Sequence, residues 1–338
     1  MADYININGN NIPIRASDPS NPIAGEIWYN LTTNQLKGHT YSSGAWSSGG
    51  TKNVDNFYRM SAGTQTAAIL AGGRVNPPQL SGTQTETYDG TTWSPVSSMP
   101  VACDSGNGIG SQTAMLIGGA SSTAPVSPGG KRLTTDLYDG TWTTGPNRNN
   151  TIVVYYGGAG GPAGQTAGLV FGGDAGGPLD SDQSEEWNGS SWTTGNNLLE
   201  GAESITGFGT QTAAVALGGY DKNTTSRIND TQLYDGTCFS AGNGMIVAGN
   251  SFGTGGTQAL GLAWGGSNPT SPPMNGTYGY DGTSWTTFPA TIPVGNGSLA
   301  TGQVGTQGTS LAAGQEPIFS TATLEWNSGP LTVTFSNS

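Results

Sequence analysis

Thr66-Ala67-Ala68-Ile69-Leu70-Ala71-Gly72-Gly73, followed after a loop by Thr85-Glu86-Thr87-Tyr88-Asp89-Gly90-Thr91-Thr92-Trp93, is the stretch on which the fold turns. The alternating apolar run reads as a strand and the glycine pair stops it; the second segment reads as two strands joined by a hairpin. This unit, Gly63 to Pro100, recurs with variations about six times. The glycine pair returns as Gly118-Gly119, Gly172-Gly173, Gly218-Gly219 and Gly265-Gly266, with Ala313-Gly314 as a degraded last copy. The hairpin aromatic returns as Tyr88, Tyr138, Trp187, Tyr234, Tyr280 and Trp326, at intervals of 50, 49, 47, 46 and 46 residues.

A period of that size with four strands per copy predicts an all-β chain with the blades of a propeller. The first strand of a copy, such as Asn53 to Met60, is expected to line a central channel. The second is the apolar run, the third ends in Tyr-Asp or Trp-Asn, and the fourth carries Trp93, Trp142, Trp192, Phe239 or Trp285. Between the last two stand Asp89-Gly90, Asp139-Gly140, Asn188-Gly189, Asp235-Gly236 and Asp281-Gly282. Such pairs suit type I′ turns, so turn chemistry explains the recurring acid without a bound metal. Six apolar runs favour six blades. A seventh would require strands from the amino-terminal segment.

The chain has 57 glycines and 19 prolines in 338 residues, but the glycines are periodic and mark turns. Only 9% of residues are charged and the net charge is −12, which argues against nucleic acid, whose phosphates need a basic face. The opening Met1-Ala2-Asp3-Tyr4-Ile5-Asn6-Ile7-Asn8 lacks a basic region followed by an apolar core, so no secretory signal is expected. No run of 18 apolar residues predicts membrane insertion. Cys103 and Cys238 fall in separate copies and are expected as free thiols.

Residues 1–50 read as a separate amino-terminal arm and β-meander, and 51–338 as the repeat domain. The meander comprises Gly25-Glu26-Ile27-Trp28-Tyr29-Asn30, Gln35-Leu36-Lys37-Gly38-His39-Thr40-Tyr41 and Ala45-Trp46. It resembles a small module of tail-fibre and other virion proteins of tailed bacteriophages. The repeats from about 52 to 335 resemble the kelch repeat and imply a kelch-like β-propeller. Gly-Thr-Gln-Thr-Ala at 63–67 and 209–213, with variants at 110, 163 and 305, departs from animal kelch proteins and is similar to kelch-like proteins of marine and cyanobacterial phages.

These resemblances imply a virion protein assembled in host cytoplasm, a tail fibre, tail appendage or decoration protein. Residues 1–50 would dock to other virion proteins, and the arm is compatible with a homo-oligomer. The propeller would attach to a host-surface glycan or protein without catalysis. The alternatives are a tail-spike enzyme that degrades polysaccharide and an intracellular kelch interaction scaffold.

His39 is the single histidine, which removes the usual Ser-His-Asp and Cys-His nucleophile systems and multi-histidine metal sites. No cofactor is expected. A glycosidase needs only two carboxylates. Asp180 with Asp182, Glu185 with Glu186 and Glu200 with Glu203 are the candidates, without a sign of a shared pocket. The recognition candidates lie in the long loops between second and third strands, at 74–82, 120–134, 174–183, 220–230 and 267–276. Arg74, Lys131, Arg132, Lys222 and Arg227 fall there, Arg148 adds one from the loop between two copies, and Tyr220-Asp221-Lys222 forms an aromatic platform beside polar groups. The competing reading is that these charges only solubilise a neutral surface.

Overall fold

The computed structural model describes residues 12–19, 26–41, 43–75, 80–122, 130–150, 154–268, 274–293, 303–314 and 321–335. The protein is all-β, and its strands form several antiparallel sheets of three or four strands, a pattern consistent with a β-propeller-like fold. The chain divides into two units, residues 1–44 with 328–338, and residues 45–327.

In the smaller unit the sheet order is Ile14–Arg15, Ile27–Asn30, Gln35–Tyr41 and Pro330–Thr334. Asp18 organises it, accepting hydrogen bonds from Trp28 Nε1 (3.0 Å), Asn30 Nδ2 (2.5 Å) and Lys37 Nζ (2.7 Å). Lys37 and then Asn30 stabilise the carboxylate and pull its pKa down to about 2. The carboxy-terminal strand Pro330–Thr334 pairs antiparallel with Gln35–Tyr41, so the smaller unit draws on both ends of the sequence.

The larger unit repeats one sheet. Met60–Thr64, Ala67–Ala71, Thr85–Tyr88 and Trp93–Val96 are hydrogen-bonded in that order. Gly108–Ser111, Ala114–Ser121, Lys131–Tyr138 and Trp142–Asn147 make the second sheet, and Gly157–Ala159, Gly168–Phe171, Ser184–Trp187 and Trp192–Thr194 the third. The fourth contains Thr206–Thr210, Ala213–Leu217, Thr231–Tyr234 and Phe239–Ala241; the fifth, Gly253–Thr257, Leu260–Trp264, Thr277–Tyr280 and Trp285–Phe288. Thr309–Ala313 and Thr323–Asn327 belong to the sixth.

Two expectations are corrected. The first strand of a copy is Met60–Thr64, not Asn53 to Met60; Asn56–Phe57 instead pairs with Arg74–Val75 in a small separate sheet. The third strand of the expected meander, Ala45–Ser48, leaves the amino-terminal unit and pairs with Thr323–Asn327, with Trp46 opposite Trp326. It supplies the outer strand that the last copy lacks, and the boundary between units lies at residue 44 instead of 50.

The apolar run is buried on both faces because it feeds two cores. Ala68 and Leu70 pack with Val304, Leu311 and Ala313 of the sixth sheet, while Ile69 and Ala71 pack with Met115 and Ile117 of the second. A strand covered on both sides needs a continuous apolar sequence instead of one that alternates with polar residues. The run stops at Gly72 (φ 62°), where a Cβ would stand 2.4 Å from Cys103 O, too close for any side chain. Gly73 N–H donates to that carbonyl at 2.9 Å. Cys103 and Cys238 are both free thiols, the first buried and the second exposed.

The glutamine of Gly-Thr-Gln-Thr-Ala joins neighbouring sheets. Gln112 Nε2 donates to Ala68 O and Tyr88 O, Gln165 to Met115 O and Tyr138 O, Gln211 to Gly168 O and Trp187 O. Gln258 donates to Ala214 O and Tyr234 O, and Gln307 to Gly261 O and Tyr280 O. Gln65, in the first sheet, donates to Ser310 O and Trp326 O of the sixth. The fourth-strand tryptophans repeat the linkage, with Trp93 Nε1 on Thr323 Oγ1 (2.8 Å), Trp142 on Thr85, Trp192 on Thr135, Trp285 on Thr231 and Trp46 on Thr277 (2.8 Å).

The Asp-Gly hairpins are not type I′ turns. Only the glycine takes a positive φ, 92° at Gly90 and 90° at Gly282, while the acid anchors the loop. Asp89 Oδ1 accepts from Thr91 N (2.8 Å) and Thr92 N (2.7 Å), and Asp235 and Asp281 do the same in their copies. Those backbone donors hold all three carboxyls below the usual range. Asn188 makes the same turn with a neutral oxygen, so the turn itself needs no charge.

Candidate functional site

The connection that enters a sheet meets that sheet's own long loop in four copies, and in one the loop of the preceding sheet meets it as well. Isolated bridges join Gly82 to Cys103, Asp104 to Ser121, Val154 to Asp174, Glu203 to Tyr220 and Asn250 to Ser267. All the expected recognition residues belong to these two kinds of connection or to the strand ends beside them. The structure assigns them two different jobs.

Arg148 and Arg132 are buried and serve packing. Arg148 Nε donates to Glu185 Oε2 at 2.7 Å, its Nη1 to Gly118 O at 2.9 Å, and its guanidinium lies 4.8 Å from the centre of the Tyr156 ring. Both charged groups of the Arg148–Glu185 pair are fully buried. Arg132 forms two hydrogen bonds with Asp136, and the pair is almost fully buried. Neither arginine reaches a partner outside the protein. Glu185 also receives Asn149 N–H, which removes it from the carboxylates available for hydrolysis.

The other candidates are partly exposed and engaged by internal partners, charged ones for Arg74 and neutral ones for Arg227 and Asp221. Arg74 Nε donates to Asp104 Oδ1 at 3.1 Å and lies over the Tyr58 ring, 5.1 Å from its centre. Arg227 covers the Tyr220 ring at 5.4 Å and reaches Asn250 Oδ1 at 3.4 Å. Asp221 accepts from Asn223 N and Thr224 Oγ1, closing its own hairpin. The aromatic platform expected at Tyr220 therefore has a guanidinium on one face.

Lys222 is the centre of a charged cluster. Its Nζ lies 2.7 Å from Asp174 Oδ1, 3.2 Å from Glu203 Oε2 and 3.6 Å from Asp180 Oδ1. Lys131 Nζ donates to Asp174 O at 3.0 Å. Burial raises Asp180 and Glu203 despite the Lys222 charge. Burial also works against ionised Asp174, but hydrogen bonds from Lys222 and Gly176 and the Lys131 charge hold its pKa down. Asp180 and Glu203 meet here as ammonium ligands, while Asp182 binds Asn197 Nδ2. Among the described residues no group of three or more acids, histidines or cysteines is arranged to hold a metal ion.

Sequence reasoning missed the residues nearest the start of the first strands. Tyr58, Ser105, Tyr155, Ser204 and Ser251 occupy equivalent positions, each with φ between 54° and 56°. Their backbones form one chain: Ser105 N donates to Tyr58 O, Tyr155 N to Ser105 O, Ser204 N to Tyr155 O and Ser251 N to Ser204 O. Left-handed backbone costs a residue with a Cβ roughly 1–2 kcal/mol. Here the bonds between sheets hold it. The signal in the sequence was weak, because glycine and asparagine are the residues expected at positive φ.

The sequence matches no protein-family model and no curated protein. Functional inference therefore rests on the chemistry of the chain itself.

Proposed function

We propose that residues 45–327 form a six-bladed, kelch-like propeller that acts as a non-catalytic recognition module of a tailed-phage virion and presents its long-loop end to a host-surface glycan or protein. The six-bladed reading is supported by the glutamine bonds, which pass from each sheet to the next and return through Gln65 to the sixth. It is also supported by six core clusters, each shared by two successive sheets, one of them the sixth with the first. On this reading Ala45–Ser48 is the outermost strand of the last blade.

One observation carries the recognition reading: the two ends of the sheets are built differently. At one end are short hairpins whose glutamines are used internally. At the other, unequal loops meet the entering connections, and the partly exposed Arg74 and Tyr155 contact Tyr58 while Arg227 covers Tyr220. Variable loops on a rigid frame suit recognition. The non-catalytic reading is favoured because Glu185, Glu203 and Asp180 are engaged by Arg148 and Lys222. Placement in a virion rests on the sequence resemblance, with the smaller unit as the docking element.

The test is adsorption of the full chain to marine and cyanobacterial cells, run beside an assay for released oligosaccharide. Binding without release, lost when loops 120–134 and 220–230 are shortened, is the expected result. Release of oligosaccharide would favour the tail-spike enzyme, and absence of adsorption would remove the attachment role.

A further inference from the structure

Four copies anchor the connection that leaves the fourth strand in the same way. Met99, Leu198, Met245 and Ile292 are buried, and their N–H groups donate to the backbone oxygens of Thr83, Asp182, Asn229 and Asn275. The residue after each anchor is exposed: Pro100, Leu199, Ile246 and Pro293. Two copies place proline there, so the fold does not require an aliphatic side chain at Leu199. Yet Leu199 is 54% exposed, and its N–H donates to Gln232 Oε1 at 2.7 Å, which fixes the backbone beneath it.

A second exposed leucine stands on the adjoining segment. Leu179 is 59% exposed, and residues 180–182 after it are bonded to the Leu199 connection: Leu198 N–H donates to Asp182 O at 2.7 Å and Asn197 Nδ2 to Asp182 Oδ2 at 2.8 Å. Lys222 N–H ties Asp180 in place at 2.6 Å. Asp182 and Glu200, the acids beside these leucines, are exposed, and no ion pair among the described residues includes either. The neighbouring ammonium groups are already engaged, Lys222 by Asp174, Asp180 and Glu203, and Lys131 by Asp174.

We infer that this patch, Leu179 and Leu199 with Asp182 and Glu200, docks a protein segment that carries aliphatic side chains between lysines or arginines. The leucines offer apolar area, and the unpaired carboxylates select the charge of the partner. A glycan fits less well, because stacking on a sugar ring needs an aromatic face open to solvent. The described tryptophans and tyrosines are all buried or half-buried, and the half-buried Tyr58 and Tyr220 carry a guanidinium over the ring. The exposed large apolar side chains described in the larger unit are all leucine or isoleucine. A second copy of this chain would set these acids against a net charge of −12. The inference rests on the recognition reading and narrows its partner to a protein of stated charge.

The experiment measures binding of the full chain to arrayed synthetic peptides of three compositions: leucine and isoleucine mixed with lysine and arginine, with aspartate and glutamate, or with serine and glutamine. Only the basic set should bind. Leu179→Ser combined with Leu199→Ser, and separately Glu200→Lys, should each weaken that binding several-fold. Asp139→Lys, the same charge reversal in an exposed hairpin at the other end of a sheet, and Leu260→Ser should leave it unchanged. Thermal melts establish that each variant is folded, and Glu200→Gln gives a milder charge deletion if Glu200→Lys is not. Binding of the acidic set as well, equal binding by wild type and the patch variants, or no binding at all would overturn the patch. A second arm follows adsorption to marine and cyanobacterial cells treated with a broad protease or with periodate, which cleaves sugar diols. Adsorption lost to protease and kept after periodate is expected; the reverse would identify a glycan and overturn the protein partner. Peptide binding without adsorption to untreated cells would remove the attachment role and keep the patch, whereas adsorption undiminished in the patch variants would do the opposite.

Discussion

Gln65 and Trp326 are 261 residues apart in sequence, yet the side-chain amide of the first donates to the backbone oxygen of the second at 2.7 Å. The same amide reaches Ser310 O at 3.2 Å, so one side chain satisfies two carbonyls of the sixth sheet. Five other glutamines do this between sheets adjacent in sequence. Gln65 alone among them joins the last sheet to the first.

Gln65→Leu should therefore destabilise the larger unit. It removes two hydrogen bonds and leaves two carbonyls unsatisfied in a largely buried place, a cost of about 2–4 kcal/mol. Chemical denaturation followed by tryptophan fluorescence measures it. A midpoint equal to that of the wild type would mean that water replaces the amide without loss.

Trp46 closes the sixth sheet from the other end of the sequence. Its indole packs against Trp326 (centroids 5.4 Å apart) and Trp264 (5.5 Å) and donates to Thr277 Oγ1. Trp46→Ala should cost about 2–3 kcal/mol, less than a fully buried aromatic because the ring packs against the core from its partly exposed edge. Trp46→Phe should cost ~1 kcal/mol, the value of one hydrogen bond, since Phe239 fills the equivalent place in the fourth sheet. Equal losses in the two variants would show that the ring packing contributes little.

Lys52 predicts a rise in stability with pH. Burial, followed by the nearby Arg59 charge, lowers its pKa to about 7 from 10.5. The unfolded chain binds its proton between pH 7 and 10.5 while the folded chain does not, so the lysine destabilises the fold as pH falls through that range. The melting temperature should rise from pH 7 to 8.5, a window below the ordinary titration of tyrosine. Lys52→Met should be more stable than wild type at pH 7 and should flatten the rise. A wild-type curve without slope over that window would place the ammonium in water.

Lys222→Met should leave Asp174, Asp180 and Glu203 facing one another without their shared cation. Stability should fall by about 2 kcal/mol at neutral pH. Carboxyls raised above their unfolded values stabilise the fold only when protonated, so the deficit should shrink at pH 5 and grow at pH 8. Melting curves of wild type and variant across that range decide it. A deficit independent of pH would mean that the loss is one of packing.

The second, third and fourth strands were legible because their signals are local: an apolar run, a glycine pair, an acid beside glycine, an aromatic. The first strand was placed too early because Met60-Ser61-Ala62-Gly63-Thr64 is built of small residues and carries little pattern of its own. The glutamine was visible as a repeat, but its partners belong to a different copy and its role required coordinates. Trp46 was assigned to its sequence neighbours, whereas its strand partner lies near residue 326. The charged candidates were found as residues but not as pairs. Arg148 and Glu185 are 37 positions apart, and no local spacing shows that they are buried together. The left-handed residues beside the first strands were missed because tyrosine and serine give no hint of that backbone.

The proposed closure of the larger unit through Ala45–Ser48 is tested most directly by a covalent link across that seam. Ala45 and Asn327 are exposed register partners. In a background with Cys238→Ser, Ala45→Cys combined with Asn327→Cys should oxidise to an intramolecular disulfide joining the two positions, found by mass spectrometry of the digested monomer. Free thiols at both sites after oxidation, or a link formed only between chains, would contradict the ring and the loop face that depends on it.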